Sequence, residues 1–256
     1  MRSRKITVWV MVMVLGGCTS KAVALIELKD GQIHNITSEF NDDVRVDYQT
    51  PGMKTTVNIL GGGGTGLSHS LTVYEDGFVN IFNESMVGYV CAVGRSQVSI
   101  FGGCIGLGGV VAMNSSQVNI SGGWINSGVS GIGGQVNISG GSICNPGWLE
   151  VYGTCRTYLS GGSIYSDLNL NSDGILTIYG SDFAVNSQPV GYGELTSLLG
   201  GWYNMEPCRR LTGMLASGHQ IDNDFYIGEN AKIVLVPEPA TLLLLGLGAV
   251  MIRRKR

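Results

Sequence analysis

Histidine is scarce in this chain, with three residues among 256. His34, His69 and His219 stand in separate contexts, and none of them is part of a recognisable serine or cysteine triad pattern. The chain also lacks a C-x-x-C pair and histidines at ligand spacing, which structural zinc sites use. Its glycine-rich segments lack the Gly-Lys-Ser/Thr ending of a phosphate-binding loop. We therefore expect no catalytic residues, no bound metal and no cofactor.

Charge is also sparse, because only 14% of the residues are Asp, Glu, Lys or Arg. The chain has 16 basic and 19 acidic residues, and eight of the basic ones lie in the two terminal segments. The remaining eight basic residues and the nineteen acidic ones, with Glu238 counted, give a net charge of about −11. Such an acidic body argues against nucleic acid and anionic membrane surfaces as partners.

The N-terminus has the pattern of a secretory signal. Arg2, Arg4 and Lys5 precede an apolar stretch from Ile6 to Leu15, which is too short for a bilayer that takes about 20 helical residues. Cleavage after the small-residue site at 22–24 is the favoured processing step. Leu15-Gly16-Gly17-Cys18 resembles a lipobox and is the alternative. Residues 1–24 are predicted to be a signal peptide.

The C-terminus combines a proline motif, an apolar helix and a basic end. The thirteen residues from Ala240 to Ile252 are apolar, and as a helix they reach only about 20 Å of the roughly 30 Å hydrocarbon core. Pro237 and Pro239 keep the Pro-Glu-Pro stretch out of this helix and favour extended backbone there. The basic end should stay on the cytoplasmic side. The predicted sorting residues are Val236, Pro237, Glu238, Pro239, Arg253, Arg254, Lys255 and Arg256.

These three features in this order resemble the PEP-CTERM sorting signal, which is also labelled the ice-binding protein C-terminal domain. The resemblance implies export by a Gram-negative bacterium and recognition by an exosortase-type enzyme in the inner membrane. It also implies cleavage near Pro-Glu-Pro and delivery to the cell surface or the exopolysaccharide matrix. It implies no activity, and the label indicates nothing about ice, because no flat threonine array is visible. A simple tail anchor or a buried terminal helix is the alternative, although the apolar run lacks polar residues at helical spacing.

The chain between the signals is repetitive. The segments Val98-Ser99-Ile100, Val118-Asn119-Ile120 and Val136-Asn137-Ile138 are each followed by a fourth residue and Gly-Gly, and related segments lie on either side. The second apolar residues recur about every twenty residues, at positions 59, 81, 100, 120, 138, 159 and 178. Alternation sends the apolar side chains to one face of a strand, and Gly-Gly permits a sharp bend. The asparagines of these segments are predicted to stack as a structural ladder.

This repeat predicts an all-β fold, a right-handed parallel β-helix or β-solenoid of about seven turns. The body spans residues 25–235, with more polar strands at 25–50 and after Phe183 as caps, and 236–256 forms the sorting segment. A helical repeat is disfavoured by the density of glycine. An antiparallel β-sandwich or a propeller is the alternative, since twenty residues also suffice for a hairpin.

The cysteines leave several arrangements open. A bridge between Cys144 and Cys155 is preferred, because the segment between them has the composition of a loop. Cys91 with Cys104 is a further pairing, which would leave Cys208 free. Reduced cysteines packed within the stack are the remaining arrangement.

The expected role is that of a structural or adhesive component of the envelope or its polysaccharide matrix, and not of an enzyme. The alternative is a carbohydrate-active enzyme, a polysaccharide lyase or hydrolase, on the same scaffold. Its acids would have to come from the clusters at 41–43 and 222–224, which are predicted to lie in the caps. Calcium binding by these clusters is a weaker possibility than solvated turns. Packing in the core or in loops is the favoured role of Trp124, Trp148, Trp202, Tyr152 and Tyr158, and aromatic platforms for extracellular polysaccharide are the alternative.

Overall fold

The computed structural model of the protein describes residues 24–39, 42–48, 50, 52–144, 147–195, 209–228 and 230–238. These residues form a β-solenoid of about seven turns, with repeats of about twenty residues. Each repeat adds one rung to each of two long faces, and further rungs at the two ends bring each face to nine strands among the described residues. The predicted parallel solenoid is confirmed, and the sandwich and propeller alternatives are wrong because successive repeats pair in parallel.

The first long face, called face A, carries the V-N-I segments. Within the described part of the chain its rungs are nine parallel strands: β2 (Ile33–Ile36), β4 (Thr56–Ile59), β6 (Phe78–Ile81), β8 (Gln97–Ile100), β10 (Gln117–Ile120), β13 (Gln135–Ile143), β15 (Arg156–Ile164), β17 (Ile175–Val185) and β22 (Lys232–Pro237).

The second long face, called face B, is built by the other half of each turn. Its rungs, again among the described residues, are nine parallel strands: β1 (Leu25–Leu28), β3 (Asp43–Val46), β5 (Gly64–Tyr74), β7 (Met86–Val93), β9 (Cys104–Met113), β12 (Gly128–Ile132), β14 (Trp148–Tyr152), β16 (Leu168–Leu170) and β21 (Gln220–Ile227).

A short third face connects face A to face B in the middle of the coil. It includes β11 (Trp124–Ile125) and the ends of longer strands. The residues in register along its outer side are Met86, Cys104, Trp124, Ser142 and Ser163. Their inward neighbours include Ile105, Ile125 and Ile143, which are buried.

The apolar positions of the repeat build the core. Val118 and Ile120 of β10 are buried, and they lie in register with Val98 and Ile100 of the preceding rung. Burial of a side chain of this size contributes about 1.5–3 kcal/mol, and every rung adds such a pair. The sequence repeat of about twenty residues is therefore set by the core, because each turn must place its aliphatic pair directly above the pair of the preceding rung.

The Gly-Gly pairs make the corner between face A and the short face. In the β10 turn, Gly123 adopts a φ of +89°, a region that L side chains rarely enter. A Cβ on Gly122 would clash with the carbonyl of Phe101 in the rung below. Glycine is required here both for backbone conformation and for close stacking of successive rungs.

The predicted asparagine ladder forms in two segments. Asn58 donates from Nδ2 to Oδ1 of Asn35 over 2.9 Å, and Asn80 donates in the same sense to Asn58 over 2.9 Å. Asn137 donates to Asn119 over 2.7 Å. Ser99 occupies the register position between the two segments, so the ladder is interrupted there.

The segments that the sequence suggests as caps are rungs of the coil itself. β1, β2 and β3 pair in parallel with the faces that follow them. At the other end, β21 and β22 continue face B and face A. β3 and β21 carry Asp43, Arg45, Asp222 and Asp224 on their outer side, and such a polar composition alone does not distinguish a rung from a cap.

Three strands at the C-terminal end of the described chain pair in antiparallel fashion: β18 (Gln188–Pro189), β19 (Gly193–Glu194) and β20 (Arg209–Leu215). After Gly180 the second half of β17 pairs with β20 instead of adding to the short face. β20 in turn forms a hairpin with β21. The regular corner of the coil therefore ends after β15, and the hairpin lies against it.

Candidate functional site

A surface recess lies at this interrupted corner. It is a groove of about 440 Å³ between the end of the β15 rung and the β20–β21 hairpin. We call it the Asp167 groove, and its principal lining residues are Tyr165, Asp167, Arg210, Asp222, Asn223 and Asp224. Ser163, Ser166 and Gln220 add further polar groups to its wall.

Strand register brings Asp167 and Asp224 together. Leu168 of β16 pairs with Phe225 of β21, and both side chains are buried. The two aspartates directly precede these paired residues. Adjacent strands lie about 4.8 Å apart, so the two acidic residues occupy neighbouring rungs although 57 residues separate them in sequence.

Arg210 engages the third acidic residue of the groove. Its Nε and Nη2 donate to the two carboxylate oxygens of Asp222 over 2.5 and 2.9 Å. Nη1 lies 3.9 Å from Oδ1 of Asp224. This bidentate pair fixes Asp222 across the hairpin, while Asp224 has only a longer ionic contact with Arg210.

Asn223 attaches the hairpin to the coil. Its side chain is buried, and Nδ2 donates to the carbonyl oxygens of Ile164 and Ser166 over 2.7 and 2.6 Å. These carbonyls belong to the opposite wall of the groove. Because both donor hydrogens of one amide are used, the spacing of the two walls is set by Asn223.

The electrostatics distinguish two of the acidic residues of the groove, Asp167 and Asp222. Partial burial raises the pKa of Asp167 above its usual value, and the nearby Asp224 carboxylate raises it further. The hydrogen bonds from Arg210 lower the pKa of Asp222. The groove thus combines one carboxyl group that resists ionisation with one that is held ionised.

Tyr165 is the exposed aromatic residue of the groove, with 61% of its surface accessible. Leu149 pairs with Leu168, and Trp148 directly precedes Leu149. Trp148 therefore lies one rung from Asp167, on the side opposite Asp224. Trp148 is 43% exposed. An acidic corner is therefore adjacent to two solvent-facing rings.

The other predicted aromatic platforms are dispersed. Trp124 is exposed and donates from Nε1 to Asn126 over 2.6 Å, two rungs from Ser163 in the groove. The Tyr152 hydroxyl donates to Glu150 over 3.1 Å on face B, and Tyr158 lies on face A. Trp202 falls outside the described residues. Of the predicted platforms, Trp148 is the one next to the groove.

Sequence reasoning missed how this groove is assembled. The cluster at 222–224 lies on a strand of face B and not in a cap off the stack. The loss of the sequence repeat after Phe183 could have indicated the position of the groove, because a rung that is missing from the stack leaves a recess. Arg210 and Tyr165 stand outside any motif, and only the hairpin pairing brings Arg210 to the corner.

The acidic cluster at the N-terminal end serves local structure. Asp43 accepts from the Ser70 backbone N–H over 2.7 Å, and Asp42 accepts from that of Ala24 over 3.1 Å. Asn41 falls outside the described residues. No group of three or more His, Cys, Asp or Glu side chains arranged for a metal ion is found in the described ranges.

The histidines lie in three separate places. His34 contacts Asp30 over 2.8 Å, His69 lies 3.8 Å from Asp43, and His219 hydrogen-bonds with Ser217 over 2.8 Å. None of these contacts is in the Asp167 groove, within the part of the chain that the structure describes.

Cys144 and Cys155, the predicted disulfide pair, are both free thiols. They lie at opposite ends of β14, whose five residues span about 16 Å at 3.3 Å each. A disulfide needs Cα atoms within about 7 Å, so the predicted bridge is not formed in this structure. The segment between them is a face B strand and not the predicted loop excursion. Cys91 and Cys104 are free as well, and Cys208 falls outside the described residues.

The first residues of the sorting motif belong to the last rung of the coil. Val236 and Pro237 are the end of β22, in register with Tyr179 and Gly180 of β17. Glu238 follows, and the segment 239–256, including Pro239, the predicted transmembrane helix and the basic end, lies outside the described residues, as do 1–23 of the predicted signal peptide. Across the described ranges, no helix has the length and apolarity needed to cross a membrane.

Stacked parallel rungs define this chain as a β-solenoid protein. Residues 235–256 match the PEP-CTERM protein-sorting motif, as the sequence resemblance predicts. This motif implies export, sorting to the surface and processing by an exosortase. No curated protein and no solved structure matches the chain.

Proposed function

We propose that this protein is an exported structural or adhesive component of the cell surface or exopolysaccharide matrix of a Gram-negative bacterium. The observation that carries the proposal is the PEP-CTERM motif at 235–256. The solenoid supports it, because a coil with few charged residues that repeats one rung presents long lateral surfaces suited to contact with extended polymers.

The proposed route uses both ends of the chain. The signal peptide at 1–24 starts export, and the apolar segment after Pro239 holds the chain briefly in the inner membrane. An exosortase then cleaves near Pro-Glu-Pro. Since β22 runs to Pro237, cleavage beyond that residue leaves the last rung intact. We also propose a right-handed coil, which parallel crossover connections strongly favour.

Fractionation tests this route directly. The full chain is produced in a Gram-negative host with an exosortase and in the same host with the exosortase deleted. We expect the chain in the surface or matrix fraction of the first host and in the inner membrane of the second. A matched variant that ends at Glu238 keeps β22 complete and should lose sorting in both hosts. Uncut chain in the cytosol of both hosts would contradict the proposal.

A carbohydrate-active enzyme is the second candidate, and the Asp167 groove is the observation that favours it. Four charged side chains line this groove, and glycoside hydrolysis uses two carboxyl groups of which one stays protonated. Asp167 with its raised pKa and Asp224 supply such a pair. We favour the structural role because Asp222 is neutralised by Arg210 and the repeats present Asn and Ser on their outer faces.

Product analysis separates the two functions. The full-length chain in mild detergent is incubated with polysaccharide, and new reducing ends and unsaturated uronates are measured. We expect no products above those of the Asp167→Asn, Asp224→Asn double variant. Product formation that this variant abolishes would show an enzyme and overturn the structural role.

A further inference from the structure

We propose that the Asp167 groove is a binding subsite for a neutral, hydroxyl-rich polysaccharide, with Tyr165 as its stacking platform. This inference rests on the proposed matrix function and names the site and the charge class of its ligand. Three independent properties of the groove support it: the kinds of polar groups, the exposed ring and the charge balance.

The polar groups suit a ligand with many hydroxyls. The walls hold carboxylates, amides, hydroxyls and a guanidinium within one recess of about 440 Å³. A sugar hydroxyl both donates and accepts, so it can pair with each of these groups. Both Nδ2 hydrogens of Asn223 are used by the carbonyl oxygens of Ile164 and Ser166, and these bonds hold the two walls of the groove together.

The ring supplies the apolar part of sugar recognition. A pyranose has a face of C–H groups that packs against an aromatic ring, and Tyr165 is 61% exposed at the groove. Trp148 is on a neighbouring rung, and Trp124 lies two rungs from Ser163, a separation of about 10 Å at 4.8 Å per rung. The stack thus spaces aromatic and polar groups along its axis, as an extended chain of sugars requires.

The charge balance selects the class of polysaccharide. Three aspartates and one arginine line the groove, so its formal charge is negative, and the body around it is acidic too. A polymer of uronate or sulfate groups would be repelled. A neutral chain avoids this repulsion and receives charge-assisted hydrogen bonds from its hydroxyls to Asp224.

Affinity electrophoresis of the full-length chain in mild detergent tests the proposal. The gels contain hydroxyethyl cellulose, dextran or galactomannan as neutral probes and alginate as the anionic probe. We expect at least one neutral polymer to retard the chain and alginate to leave its mobility unchanged. Tyr165→Ala should weaken the neutral interaction about tenfold, a typical effect of removing one ring from a binding surface.

Two variants separate recognition from folding. Tyr165→Phe keeps the ring and should retain most of the binding. Leu107→Ala removes an exposed apolar side chain outside the groove and should bind like the unchanged chain. Circular dichroism melting should show the same unfolding midpoint for all three, which identifies the Tyr165→Ala loss as a loss of contact.

Equal mobility of the unchanged chain in all four gels would overturn the proposal, as would stronger retardation by alginate than by every neutral polymer. Retardation that Tyr165→Ala leaves unchanged would place binding elsewhere and would also overturn it. The matrix function is tested separately by fractionation. A chain that reaches the matrix but is not retarded refutes the subsite alone, whereas a chain retained in the cytosol refutes the function on which it rests.

Discussion

Asp167 and Asp224 occupy neighbouring rungs of face B because each directly precedes a member of the buried pair Leu168 and Phe225. The core packing of β16 against β21 therefore holds two like charges side by side. Asp224 contributes to the raised pKa of Asp167, although partial burial is the larger cause. This arrangement opposes folding at neutral pH.

Asp167→Asn should therefore stabilise the protein at neutral pH. A carboxyl group with a raised native pKa destabilises the fold once the pH exceeds its unfolded value near 3.8, and the full penalty is present above the native pKa. We expect a gain of about 0.5 kcal/mol or less at pH 7, because the group is largely solvated. The gain should vanish near pH 3.

Urea unfolding at both pH values measures this effect. Asp173→Asn, in the turn between β16 and β17, is the control and should leave the free energy of unfolding unchanged. A loss of stability at pH 7 in Asp167→Asn would contradict the assignment of repulsion to this pair.

Asp222→Asn should have the opposite sign of pH dependence. Its pKa is lowered by Arg210, so its contribution is present above the unfolded value near 3.8 and is lost as the pH falls through the native pKa. We expect a small destabilisation at pH 7 and none at pH 2. The same measurement detects it, and equal stability of the variant and the unchanged chain at pH 7 would show that the ion pair contributes nothing.

Ser99→Asn should complete the asparagine ladder. An asparagine here can donate to Asn80 and accept from Asn119, which joins the two segments. Two additional hydrogen bonds on a partly exposed face should raise the free energy of unfolding by about 0.5–1 kcal/mol. Chemical denaturation gives this value.

Ser99→Asp is the matched control for this prediction. It has nearly the same size but lacks the amide donor, so it cannot bond to Asn80 as the ladder requires. Equal stabilisation by Asp and Asn would show that the amide ladder is not the cause.

Ile120→Ala should destabilise the coil strongly. Ile120 is buried between Ile100 and Ile138 of the adjoining rungs, and such truncations remove about 2–5 kcal/mol. Leu107→Ala is the control, because Leu107 is 82% exposed and its loss should remain within about 0.5 kcal/mol. Similar effects of both variants would contradict the assigned inward face.

The cysteines should differ in their reaction with iodoacetamide. Burial raises the pKa of the Cys155 thiol, which is fully enclosed, so it should be alkylated only after denaturation. Cys104 is partly exposed and should react in the native chain. Peptide mapping without reduction measures both rates and also detects any link between Cys144 and Cys155, whose presence would contradict the observed free thiols.

Much of the fold was predictable from the sequence, because the spacing of Ile59, Ile81, Ile100 and Ile120 is the spacing of the core itself. Parallel stacking followed from that period together with Gly-Gly. The sequence did not show whether the terminal strands are caps or rungs of the coil. Asp43 and Asp224 make their strands polar in composition, yet register alone decides that both strands continue face B.

The groove could not be predicted because it depends on contacts between distant segments. Arg210 reaches the corner through the hairpin, and Asn223 reaches Ile164 across 59 residues. The composition of the segment between Cys144 and Cys155 predicted a loop. In the structure this segment contains strand β14, which separates the two cysteines. The repeat in the sequence predicts the strands and their inward faces. It does not predict a site at the end of the repeat, because that site depends on the hairpin that takes the place of the next rung.

The most direct test of the account is the intact mass of the chain recovered from the surface or matrix of an exosortase-carrying host. The account predicts a polypeptide that has lost its signal at 1–24 and has been cut near Pro239, with Lys232 to Pro237 retained. Recovery of the protein solely as the uncut chain of 256 residues inside the cell would contradict it.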